Sequence, residues 1–93
     1  MPISISIRIP SMLAKYAGGE RVIRTEGATV RDALADVPRR HPDLGPRLVD
    51  ASGALHPYFH LFRNGERLEG AGAMTAALRD GDSLEVLAAA SGG

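Results

Sequence analysis

Ile3-Ser4-Ile5-Ser6-Ile7-Arg8-Ile9 alternates apolar and polar side chains without a break. Successive side chains of a strand point to opposite faces, so this period of two predicts a strand with one buried face. Pro10 stops it, because proline has no N–H to give to a ladder. Near the other end of the chain, Leu84, Val86 and Ala88 alternate with Glu85 and Leu87, a second strand apolar on one face. These two strands are natural central partners in one sheet.

Between them the chain reads as one helix and three further strands. Residues 10–19 are long for a hairpin and predict an irregular loop, or a short helical turn around Met12 and Leu13, closed by a turn at Gly18-Gly19. Residues 21–25 form a strand with Ile23 inward. Thr29 can cap a helix, with Asp32 three residues on, and Val30, Ala33, Leu34 and Val37 make one helical face. Pro38 and Pro42 end that helix by His41, and Leu44 and Leu48 suit a short further turn. Residues 58–63 read as a strand, and Asn64-Gly65 fits a type I′ hairpin leading to a short strand at 66–68. Residues 74–78 fit one helical turn, and Asp80-Gly81-Asp82 is a turn before the last strand. One helix and one sheet must bury their apolar faces against each other. The expectation is an α+β roll, a mixed four- to five-stranded sheet packed on one main helix.

At 93 residues the chain fits one domain, too small to enclose a deep active site. Eleven basic and eleven acidic residues cancel, without the basic stripe of a nucleic-acid binder. The cations are ten Arg against a single Lys, Lys15. The absence of Cys excludes disulfides, thiolate metal sites and a cysteine nucleophile. It also excludes the iron–sulfur ferredoxins, whose clusters hang on Cys. No apolar run approaches the roughly 20 residues of a membrane helix, and the first residues do not resemble a signal peptide, so a cytoplasmic protein is expected.

Leu78-Arg79-Asp80-Gly81-Asp82-Ser83-Leu84-Glu85-Val86, followed by Ala88-Ala89-Ala90-Ser91-Gly92-Gly93, resembles the closing segment of the ubiquitin-like sulfur-carrier family of the ThiS/MoaD type. The Asn64-Gly65 hairpin and the alternating first strand match it as well. The length, and Leu55-His56 before the third strand, most resemble the actinobacterial carriers for cysteine biosynthesis. The resemblance implies the ubiquitin-like β-grasp fold, with residues 1–87 as the domain and 88–93 as a flexible tail ending in Gly-Gly. It implies a protein co-substrate rather than an enzyme. An E1-like enzyme would use ATP and magnesium to adenylate the Gly93 carboxylate, a sulfur donor would convert it to a thiocarboxylate, and a downstream enzyme would incorporate the sulfur. No cofactor would be bound to the chain itself. The tail suits such chemistry: Gly92 and Gly93 have no Cβ and can thread a narrow channel, and six residues span roughly 20 Å when extended.

The resemblance also implies docking through the sheet. If Ile3, Ile5 and Ile7 face the helix, then Ser4, Ser6 and Arg8 face outward, joined by His60, Phe62 and Leu87, with Arg67 at the rim. The alternative is that Phe62 and Leu87 fill a satellite core beneath the 42–55 loop. His56 and His60 would lie about 13 Å apart on a strand, too far to share an ion, and His41 stands alone, so no metal site is expected. Gly70-Ala71-Gly72 lacks the Lys-Ser/Thr of a phosphate loop, Ser91 lacks a base, and Arg39 and Arg40 read as a solvated helix end. Competing functions are a ubiquitin-like modifier joined through Gly93 to lysines, a β-grasp binding module with an inert tail, and the small subunit of an obligate enzyme complex.

Overall fold

A computed structural model describes residues 2–88. Five strands, β1 (Ser4–Arg8), β2 (Val22–Glu26), β3 (Phe59–Arg63), β4 (Glu66–Leu68) and β5 (Ser83–Ala88), form one sheet in the order β2-β1-β5-β3-β4. β1 and β5 run parallel beside one another, and the other pairings are antiparallel. A parallel pair needs a crossover, and the helices supply it on one face. They are α1 (Val30–Ala35), α2 (Val37–Arg40) and α3 (Gly45–Leu48). This is the β-grasp roll expected from the strand order.

The alternation at the front of the chain sets the core. Ile5, Ile7 and Ile9 are fully buried, as are Val30, Ala33, Leu34, Val37, Leu44 and Leu48 from the helical layer. Ile23, Phe59, Leu61, Leu84 and Val86 complete the inner face of the sheet. Burying one such side chain contributes roughly 1.5–3 kcal/mol. Thr25 lies on this inner face, fully buried, and its hydroxyl has no hydrogen-bond partner among the described residues.

Thr29 caps α1 as the spacing predicts, its Oγ1 accepting from the Asp32 amide at 3.2 Å. Pro38 turns the expected single helix into two. It sits in the first turn of α2, where a missing N–H costs nothing, and the chain ends that helix before His41.

Of the two alternatives for residues 10–19 the helical one holds, longer than a single turn: a 3-10 helix over Ser11–Ala17, carrying Lys15 and closed by Gly18 in the left-handed region. Three expectations are corrected. Residues 74–78 do not form a helix: Met74 and Thr75 close a run of turns over 71–75, and Ala77 makes an isolated bridge to Thr29. The carbonyls here accept instead from the unpaired amides at the start of α1: Arg31 N–H to Met74 O at 2.8 Å and Val30 N–H to Ala76 O at 3.1 Å. Ala88, expected inward and in the tail, is exposed and still pairs with Phe59 as the last residue of β5.

Arg39 and Arg40 are not simply a solvated helix end, which is the third correction. Both donate to Asp36, which is only 8% exposed, and Arg40 also reaches Glu26 at 3.3 Å. The second Asp36 oxygen accepts the Glu26 backbone amide at 2.9 Å, which ties the α1–α2 junction to the end of β2.

Candidate functional site

The site is organised by the strand that precedes the last residues of the chain. β5 lies in the middle of the sheet, held by β1 on one side and β3 on the other. Its start is fixed by Asp80-Gly81-Asp82. Asp80 Oδ1 accepts the Ser4 amide at 2.8 Å, and Gly81, at φ +89°, a value that favours glycine, donates its own amide to Ser4 O at 2.9 Å. Asp82 Oδ2 accepts the Arg79 amide at 2.8 Å, while its Oδ1 accepts from Asn64 Nδ2 at 3.0 Å. Asn64 closes the circuit by accepting the Ser83 amide at 2.9 Å and donating its own amide to Ser83 O at 2.8 Å. The Arg79 amide, then the Asn64 side chain, hold the Asp82 carboxyl below its ordinary pKa against a small desolvation penalty. The turn motif and the Asn64-Gly65 hairpin are therefore one device, which sets the register and direction of β5.

At its far end β5 pairs Ala88 with Phe59. Gly92 and Gly93, the residues expected to carry the chemistry, lie outside the described residues.

The open face of the sheet carries the other expected site residues. The pairing register places Val22, Arg8, Glu85, Phe62 and Arg67 in one row across all five strands. His60 and Leu87 form the neighbouring pair, closer to the exit. Leu87 is 39% exposed, and Phe62 and His60 are half-buried. Neither Phe62 nor Leu87 fills a satellite core, because strand alternation turns them away from the helices. The 42–55 segment instead sends Leu44, Leu48 and Val49 into the main core.

Arg67 Nη2 lies 2.9 Å from His60 Nδ1. A guanidinium only donates, so Nδ1 is the acceptor in this contact. Arg67 also lies 3.9 Å from Glu69.

Other candidates separate. His56 precedes β3, as the sequence reading places it; its Nε2 is 2.9 Å from Pro46 O, and its ring stacks on Tyr58 at 5.2 Å. Among the described residues no group of three or more His, Cys, Asp or Glu could hold a metal ion. No helix among them is long and apolar enough to cross a membrane.

Sequence reasoning missed a groove of about 470 Å³ at the same end of the sheet, lined by Met12, Tyr16, Arg47, Tyr58 and neighbours. These residues come from three segments distant in sequence, and only the 3-10 helix and α3 bring them together.

Comparison with known proteins bears on this site. Residues 7–93 match the ThiS family. The sulfur carrier protein CysO of Mycobacterium tuberculosis is 29% identical over 93 residues, covering 98% of this chain and all of the relative. The small archaeal modifier protein 1 of Haloferax volcanii is 37% identical over 83 residues, covering 87% of this chain and 91% of the relative. The crystal structure of the Amycolatopsis orientalis BexX/CysO complex contains a chain with 35% identity and a TM-score of 0.82, over 96% of this chain and 99% of that one.

Proposed function

The chain belongs to the ThiS family, and from that premise we propose that it is a sulfur carrier whose working group is the carboxylate of Gly93. The observation that carries this reading is the family match running through Gly93, together with a central β5 whose start is clamped. In the proposed cycle the Gly93 carboxylate attacks the α-phosphorus of ATP on an E1-like enzyme, with magnesium, and pyrophosphate leaves. Adenylation replaces a poor leaving group with AMP. A sulfide-level nucleophile from a sulfur donor then adds to the acyl carbon and expels AMP, leaving a thiocarboxylate. A downstream enzyme uses that sulfur as a nucleophile in a biosynthetic step in the cytoplasm.

The domain's part is positional. It presents the tail from a fixed strand end and offers the Phe62–Leu87 face as the docking surface, with His60, Arg8 and Arg67 around it. Half-exposed Phe and Leu side chains with an Arg rim suit an interface core. Deleting Gly93 tests the reading: the folded domain should remain while ATP–pyrophosphate exchange on the activating enzyme disappears. Undiminished exchange would contradict it.

A second reading has its own observation. The Haloferax volcanii relative is a modifier protein, so the same activated Gly93 could be joined to lysines of target proteins. Both readings share the adenylation step and part at the nucleophile, sulfur or amine.

A further inference from the structure

The groove beside the exit of β5 is distinct from the Phe62–Leu87 face. It is bounded by Met12, Lys15 and Tyr16 on the 3-10 helix, Arg47 on α3, and His56 and Tyr58 before β3. Its apolar surface is unusually open: Met12 is 55% and Tyr58 54% exposed. Its charge has one sign. Lys15 and Arg47 line it, no acidic residue does, and neither cation forms an ion pair among the described residues.

The Arg47 guanidinium carbon lies over the Tyr16 ring, 3.8 Å from its centroid, with Lys15 Nζ 5.4 Å from the same ring. Stacking holds the planar fork of Arg47 in place while leaving donors available to a carboxylate. The Tyr16 phenol is held below its ordinary pKa, first by Arg47 and, against some desolvation, by Lys15, as a positive local field requires.

Position supplies the second argument. Phe59 lines the groove and is also the residue paired with Ala88. β1 runs parallel to β5 and leads through Pro10 into the 3-10 helix. The groove therefore lies next to the last described residue of β5.

We propose that this groove seats an acidic, apolar-tipped segment of the activating enzyme, its carboxylates on Arg47 and Lys15 and its apolar residue between Met12 and Tyr58. The proposal rests on the carrier reading and adds a docking element to it. Like charge disfavours a second copy of this chain in the same place.

The test is a binding titration of the chain against its host's E1-like adenylating enzyme at low and high salt, with wild type, Lys15→Glu/Arg47→Glu and the milder Arg47→Gln, each checked for native circular dichroism. The wild-type affinity should fall steeply between about 50 and 500 mM salt. The double variant should bind about tenfold or more weaker at low salt with a flattened salt dependence, and Arg47→Gln should fall between. Wild-type binding matched by a folded double variant, with an unchanged salt slope, overturns the groove proposal and leaves the carrier reading intact. Failure of the wild type to bind at all overturns both. Saturable binding of ATP or AMP to the isolated chain, lost in Arg47→Gln, would overturn the proposal by making the groove a nucleotide site. Self-association through the groove, seen by sedimentation, would overturn it as well.

Discussion

Asn64 and Asp82, eighteen residues apart, meet side chain to side chain at 3.0 Å, and through that contact the β3–β4 hairpin sets the start of β5. Each residue also bonds backbone amides: Asp82 that of Arg79, and Asn64 that of Ser83. Asp82→Ala removes a charged acceptor from two donors at once. The expected loss is about 1–2 kcal/mol, reduced from the value for a buried pair because the site is partly solvated. Asn64→Ala should cost a similar amount. The double variant should lose less than the sum, since both sever one network. Urea unfolding of the three variants measures this; strict additivity would contradict a shared device.

Asp36 predicts acid sensitivity. Its burial raises the carboxyl pKa, but the Glu26 amide and the guanidiniums of Arg39 and Arg40 more than offset this and hold it below the ordinary carboxylate value. A carboxyl depressed in the folded state binds its proton more readily when unfolded. Its stabilising contribution is therefore full above the unfolded pKa and is lost as pH falls through the folded one. Wild-type stability should decline as pH drops below about 4. Asp36→Asn should be less stable at neutral pH and show a shallower acid decline. Equal slopes for the two proteins would contradict this assignment.

Thr25 predicts a gain. Its hydroxyl is buried on the inner face without a partner among the described residues. Replacing it by Val keeps the shape and removes the desolvation penalty, so Thr25→Val should raise stability by about 1 kcal/mol. A loss of similar size would mean that the hydroxyl has a partner, such as a buried water.

The open face predicts a separation of binding from stability. Leu87 is partly exposed and Phe62 lies outside the core, so Leu87→Ala and Phe62→Ala should each cost well under the roughly 3–5 kcal/mol typical of a buried Phe. As interface anchors they should weaken binding to the activating or downstream enzyme by ~2 kcal/mol or more, about thirtyfold. Thermal melts beside binding isotherms decide it. Normal affinity in both variants would remove this face from the docking account.

Much of the fold could be read from local pattern, because alternation and caps act over a few residues. Ile5 and Ile7 announced β1, Thr29 announced α1, and Asn64-Gly65, both at positive φ, announced the hairpin. What stayed hidden depended on distant partners. Met74 and Ala76 look helical until α1 claims their carbonyls. Arg40 looks solvated until Asp36 and the end of β2 are brought to it. The outward turn of Phe62 and Leu87 followed from strand parity, but excluding the satellite core required knowing where Leu44 and Leu48 pack. The Lys15–Arg47 groove had no sequence signal, since Tyr16 and Arg47 meet only across the fold.

The central claim concerns the acyl group of Gly93, and intact-protein mass spectrometry reads it most directly. The chain is incubated with its host's E1-like enzyme, ATP, magnesium and a sulfur source, alongside Lys15→Arg. The account predicts the mass increase of one oxygen replaced by sulfur, located by fragmentation at Gly93 and equal in both proteins, because no step of the sulfur route uses a lysine. Attachment to amines with no sulfur-containing product would contradict the carrier account in favour of the modifier, and an unchanged mass with the activating enzyme fully active would contradict both.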